Sequence, residues 1–256
     1  MKKLIISHGD KGGTGKSTVA NIIASMLYER GESLGIIEAD AGGGKKNTGG
    51  SPDVMPRFLG RIKDAIELPL TDGKNEASDA VARLMEFIDD LDCEYIVMNA
   101  PANASTVLEQ PEVGEILAEA LGELEIDLRV AYSWSPGSAI NVKNARSAVQ
   151  GSIFGAASHG VLVKNEHFAD DTAYESAIQG DKVLKATTRA TIPRLSKHMA
   201  PILDEYGEHS LAELCDAAGP LSTMQRIRLQ KFYRVSAENL ASALEINDSG
   251  EGNGQG

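Results

Sequence analysis

The feature that most constrains this chain is a glycine-rich run set between an apolar segment and a helical one. Residues 3–7, Lys-Leu-Ile-Ile-Ser, read as a short buried strand. Gly9-Asp10-Lys11-Gly12-Gly13-Thr14-Gly15-Lys16-Ser17-Thr18 follows, and residues 17–29 continue with apolar positions at helical spacing. Glycines let the backbone curl until successive N–H groups face one point, and the helix N-terminus beyond them adds its dipole. Such a loop cradles an anion with several negative oxygens. It also needs a strand before it and a helix after it, which commits the chain to an α/β architecture.

The remaining sequence repeats that alternation. Residues 34–37, 95–98, 128–134, 160–163 and 187–192 read as further strands. Helical patterns are expected over 54–66, 77–91, 114–121, 141–150, 196–206, 210–217 and 221–243. Strands alternating with helices imply a mostly parallel sheet covered on both faces, with ligands beyond the C-terminal strand ends. Residues 41–52 are rich in Gly, Lys, Asn and Ser and read as a long functional loop. The expected organisation is one three-layer domain over residues 1–243 with a helical C-terminal region. Residues 244–256 are expected to be a disordered tail, polar and glycine-rich at its end.

The loop pattern is that of a phosphate loop, and the fold class expected is a P-loop NTPase. Lys16 is placed to reach the β- and γ-phosphates of a nucleoside triphosphate, and the Ser17 hydroxyl to ligate magnesium. Thr18 stands beside the α-phosphate, and the backbone of Gly12, Gly13, Thr14 and Gly15 completes the cradle. The general pattern asks for Gly where Asp10 stands. What matches fully is the variant Lys-Gly-Gly-x-Gly-Lys-Ser-Thr from Lys11 to Thr18. This resembles the deviant Walker A motif of the ParA/MinD family of ATPases. The resemblance, which covers about the first 200 residues, implies ATP and Mg2+ as ligands and dimerisation on ATP. It implies that Lys11 crosses the two-fold interface to the partner's nucleotide, and that Lys11, Lys16 and Asp40 serve slow hydrolysis.

Other strand ends extend the likeness. In Ile36-Ile37-Glu38-Ala39-Asp40, Asp40 matches the acid that opens the family's first switch loop, and Glu38 stands where Asp is usual. Tyr95-Ile96-Val97-Met98-Asn99-Ala100-Pro101 resembles the Walker B strand, with Asn99 in place of the acid. Its carbonyl can still accept from a magnesium-bound water, but it lacks the charge that helps hold the metal. Asn165, ending Val161-Leu162-Val163-Lys164-Asn165, matches the residue that reads adenine, and Pro193 lies in the turn that flanks the base.

Charge narrows the partners. The chain of 256 residues carries a net charge of −12, of which −11 falls in residues 1–128. An acidic protein does not coat nucleic acid by bulk charge. Lys182, Lys185, Arg189, Arg226, Arg228, Lys231 and Arg234 read either as a zone for non-specific DNA contact or as two solvated helix faces. No basic amphipathic helix closes the sequence, so no membrane anchor is expected. Two cysteines without metal spacing point to reduced thiols in a cytoplasmic, and potentially nucleoid-associated, protein. The resemblance places the chain among plasmid or cargo partition and stability ATPases with an unidentified adaptor protein. The other reading is a weakly active ATP-binding module that regulates a conjugation or other complex.

Overall fold

The computed structural model describes residues 1–9, 13–39, 54–68, 77–101, 104, 108 and 110–246. Among them seven strands form one sheet: β1 (Lys3–Gly9), β2 (Leu34–Glu38), β3 (Asp64–Glu67), β4 (Tyr95–Asn99), β5 (Asp127–Trp134), β6 (His159–Asn165) and β7 (Thr188–Ile192). Their order is β3-β2-β4-β1-β5-β6-β7, and every pairing is parallel. The helices are α1 (Lys16–Glu29), α2 (Ala77–Asp90), α3 (Pro111–Glu123), α4 (Ala139–Val149), α5 (Ser152–Ala156), α6 (Asp171–Gln179), α7 (Lys182–Ala186), α8 (Ala200–Glu205), α9 (Leu211–Cys215) and α10 (Thr223–Ala243).

The strands are apolar throughout because both faces of the sheet are covered. Their period of two divides them between two layers of helices. Ile5, Val97, Ala131 and Val163 face α1 and α10, packing with Ile23, Leu27, Leu229 and Leu240. Leu4, Ile6, Met98 and Val130 face the other way, onto Leu84 and Ile88 of α2 and Val113 and Leu117 of α3. Farther along that second face, Tyr132, Trp134 and Leu162 meet Ala145, Tyr174 and Leu184 of α4, α6 and α7. The result is the single three-layer α/β domain expected for a P-loop NTPase.

Two expectations are corrected. Residues 54–66 do not form a helix. A 3-10 turn at Met55–Arg57 is followed by Gly60 at φ 74°, and the chain then runs into β3, paired with β2 from Gly35↔Asp64 to Glu38↔Glu67. The left-handed residue ends any helix, and the open edge of β2 recruits Asp64–Glu67. The tail also begins later than residue 244. Leu244 and Ile246 are buried, and Arg129 Nη1 donates to Leu244 O and Glu245 O at 2.8 and 2.7 Å. Residues 247–256 lie outside the described residues.

The short helices α6 and α7 were not anticipated. Each has an aspartate N-cap, the one local signal that announces it. The Asp170 carboxylate accepts from Ala173 N at 2.9 Å, and that of Asp181 from Val183 N at 2.9 Å. Burial pushes the Cys93 and Cys215 thiols up to about 11 and about 12, so both stay protonated at neutral pH.

Candidate functional site

The site is built where β1 ends and α1 begins. Gly13 and Gly15 sit at φ 81° and 96°, a region open to glycine and strained for other residues. Gly9 is needed for space: a Cβ there would come within 2.6 Å of Ser133 O and 2.8 Å of Thr14 Oγ1. Thr14 and Lys16 are buried at 1% and 4% exposure, and Ser7 Oγ donates to Lys16 O at 2.8 Å. The strand end thus grips the first turn of α1 and fixes the direction of its N-terminus. Lys11, Gly12 and Asp40 lie outside the described residues.

On one side of the loop, the ends of β4 and β2 form a polar corner. The register sets Glu38 opposite Asn99, and period-two alternation turns both toward α1, as it does Ser7. Asn99 Nδ2 donates to Glu38 Oε1 at 2.5 Å and to Ser17 Oγ at 3.2 Å. Glu38 Oε2 accepts from Val54 N at 2.9 Å. Asn99 Oδ1 is buried and has no partner among the described residues. A hydroxyl, a carboxylate and an orphaned amide oxygen are the hard donors that magnesium and its waters take, so the corner fits that metal. No cluster of three His, Cys, Asp or Glu side chains occurs among the described residues, so a metal here would also need oxygens from a phosphate. The sequence marks Glu38 as the residue standing where an Asp is usual, and the fold adds its contacts with Asn99 and Val54.

On the other side, β6 delivers Asn165 to the loop. The residue is 4% exposed; its Oδ1 accepts from His167 N at 3.1 Å, and a Cβ on Gly15 would run into its amide nitrogen. Asn165 therefore braces the phosphate loop. Its oxygen accepts from the His167 turn and keeps a second lone pair, and its amide nitrogen faces Gly15. Ile192 pairs with Asn165 across β6 and β7, and Glu166 N donates to Ile192 O at 2.9 Å, which puts Pro193 beside it. The Phe168 ring lies 3.5 Å from the same Gly15 position.

Comparison with known proteins separates sequence from fold. No protein-family model and no curated protein matches the sequence. Solved structures do match. A ParA family ATPase from Chlorobium tepidum TLS aligns at TM-score 0.51 and 16% identity, over 93% of this chain and 98% of that one. Apo McdA from Cyanthece gives 0.51 and 15%, over 94% and 99%. The MinD cell division protein of Aquifex aeolicus gives 0.50 and 16%, over 94% and 97%. The fold is that of the ParA/MinD-type P-loop ATPases.

Within this ParA/MinD fold, His8 has a consequence for pH dependence. It is 1% exposed, stacks edge-on against Tyr132, and neither ring nitrogen has a partner among the described residues. Burial, and then the charge of Lys16, lower its pKa from 6.5 to about 4. The unfolded chain therefore binds a proton at a pH where the folded chain does not. Stability from neutral His8 is complete above pH 6.5 and is lost as pH falls toward 4, at about 1.4 kcal/mol per pH unit or roughly 3 kcal/mol in all. His8→Phe keeps the ring packing and should flatten that part of the stability–pH curve. Urea melts at pH 7 and 4.5 test this, and an equal acid loss in the variant would exclude His8 as the source.

The basic residues do not form one surface on this fold. Leu184 anchors α7, with Lys182 and Lys185, to the sheet face opposite α10, which carries Arg226, Arg228, Lys231 and Arg234. Arg189 lies 3.7 Å from Glu175, Arg234 lies 3.4 Å from Glu238, and Arg226 donates to Ala217 O at 3.2 Å. Lys182, Lys185, Arg228 and Lys231 are exposed. Among the described residues no helix is long and apolar enough to cross a membrane.

Proposed function

We propose that this chain is an ATP-binding switch of the ParA/MinD type, which binds ATP with magnesium, dimerises on it and hydrolyses it slowly. The observation that carries the reading is the convergence of Lys16, Ser17, Asn99 and Asn165 on the same strand-to-helix turn, from three parallel strands. The chain itself would bind and orient: buried Lys16 holds phosphate charge, Ser17 and the Asn99 corner hold magnesium, and Asn165 and Pro193 flank the base. Magnesium, when bound, would neutralise phosphate charge during transfer to water. The role carried by the resemblance for Asp40 is orientation of that water. The lack of a guanine-reading Asn-Lys-x-Asp motif favours adenine.

Two triphosphates face to face in a water-poor interface repel, so the dimer needs a cation beyond magnesium and Lys16. Lys11, five positions earlier on the same loop, is the residue proposed to cross the two-fold axis. Lys11→Ala should bind a non-hydrolysable ATP analogue yet remain monomeric in light scattering, whereas wild type dimerises. A variant that still dimerises would remove the shared-lysine mechanism. Non-specific DNA and an adaptor protein are the partners this reading calls for, in cargo or plasmid positioning. At a net charge of −12, DNA contact should wait for the dimer and weaken with salt, which duplex DNA added to the same samples will show. Asn99 supports a second reading, a weakly active regulatory module. ATP turnover that stays flat with DNA present would favour it.

A further inference from the structure

The tip of β6 is held from the side by α6. Asp171, Tyr174 and Glu175 stand at i, i+3 and i+4, so they share one face of that helix, and all three meet the last two residues of β6. Lys164 is 8% exposed and donates to Asp171 Oδ1 at 2.5 Å and to Glu175 Oε1 at 2.9 Å. Tyr174 is fully buried, with its ring edge-on to Trp134 and the centroids 5.4 Å apart. Its hydroxyl lies across the last rung of the β5–β6 pairing, Trp134↔Lys164. It accepts from Asn165 N at 3.1 Å, and its one proton has Trp134 O at 2.9 Å and Asn165 O at 3.1 Å as acceptors. Burial raises the phenol to about 12, so that proton is present at neutral pH.

A tyrosine that only filled the core would need its ring and one partner for its hydroxyl. Tyr174 instead reaches both backbone polar groups of Asn165, the residue whose amide meets Gly15 of the phosphate loop. The strand end passes that position on, because Glu166 N donates to Ile192 O, next to Pro193. We propose that Tyr174 is a positioning residue for the base end of the nucleotide site, holding Asn165 and Pro193 in place while touching no ligand itself. This rests on the nucleotide reading above and adds to it the helix that sets the base end. The phosphate end has a hold of its own, Ser7 Oγ on Lys16 O, so the two ends can be separated by experiment.

The test compares ATP, GTP and inorganic tripolyphosphate on the full chain, each with magnesium, by calorimetry. Tyr174→Phe keeps the ring against Trp134 and removes only the hydroxyl. It should weaken ATP binding by about 3–10-fold, the scale of a net hydrogen bond, and narrow the preference for ATP over GTP. Tripolyphosphate, which has no base, should stay within about twofold of wild type. Unchanged ATP affinity would overturn the proposal. So would an equal loss for ATP and tripolyphosphate, which is what a general loosening of the core produces. Lys164→Met releases the other hold of α6 on β6 and should show the same selective loss. Should Tyr174→Phe fail to fold in a thermal melt, Lys164→Met decides on the same comparison: a selective loss supports the proposal, and an equal loss or none overturns it. Wild type that binds neither ATP nor tripolyphosphate would instead defeat the nucleotide reading itself.

Discussion

Lys16→Ala should reduce ATP affinity by about 10- to 150-fold. Lys16 opens α1 with its side chain nearly sealed, and its charge is strong enough locally to help keep His8 neutral. A charge-assisted hydrogen bond to phosphate is worth about 1.5–3 kcal/mol, and each 1.4 kcal/mol is tenfold in affinity. The loop's backbone N–H groups remain in the variant, so the residual binding is theirs. Calorimetry with ATP at constant magnesium measures the loss, and a thermal melt without nucleotide shows that the fold is intact. Unchanged affinity would rule out the phosphate-loop assignment and everything built on it.

The second large effect is on stability, at Arg57. This side chain is fully buried in the segment that follows Val54, and its guanidinium donates to Leu203 O at 3.0 Å, His209 O at 2.6 Å and Tyr206 O at 3.3 Å. Leu203 O belongs to the last turn of α8, where carbonyls lack helical partners and a cation is favoured. Burial lowers the Arg57 pKa to about 10, a sign of its desolvation, with the Asp204 charge opposing the shift. Arg57→Met keeps much of the volume but removes the donors to Leu203 O and His209 O, at about 1–3 kcal/mol for each that is left buried, while Tyr206 O still accepts from His209 N. Removing the buried cation returns part of that, so a loss of about 3–5 kcal/mol in urea denaturation is expected. A loss below about 1 kcal/mol would mean that desolvation of the guanidinium cancels its bonds.

Much of the fold was legible because it is written in local pattern. Residues 3–7, 34–37, 95–98, 128–134 and 160–163 are short apolar runs bounded by polar turns, and each lies within an observed strand. The misreading of residues 54–66 shows the limit. Asp64–Glu67 has no strand pattern of its own, and only the free edge of β2 makes it one. The helices α6 and α7 are nine and five residues long, and the aspartate that caps each is the local signal that marks them. The basic residues read as one zone along the chain because sequence distance cannot tell which face of a sheet a helix covers.

The sequence by itself determined the phosphate loop. Strand, glycine run and helix are contiguous, so the spacing of Gly9, Gly13, Gly15, Lys16 and Ser17 along the chain is their spacing in space. It also determined that the sheet is parallel, because alternating strands and helices leave few other ways to cover apolar strands. Only the tertiary structure decided how the rest of the site is shared. Glu38 and Asn99 are 61 residues apart, and their contact depends on β4 inserting between β2 and β1 in that register. Asn165 reaches Gly15 only because β6 lies beyond β5 in the strand order, its end at the level of the loop. Charge and hydrogen bonding act through distance in space, and strand order, which fixes those distances, is settled by packing the whole chain.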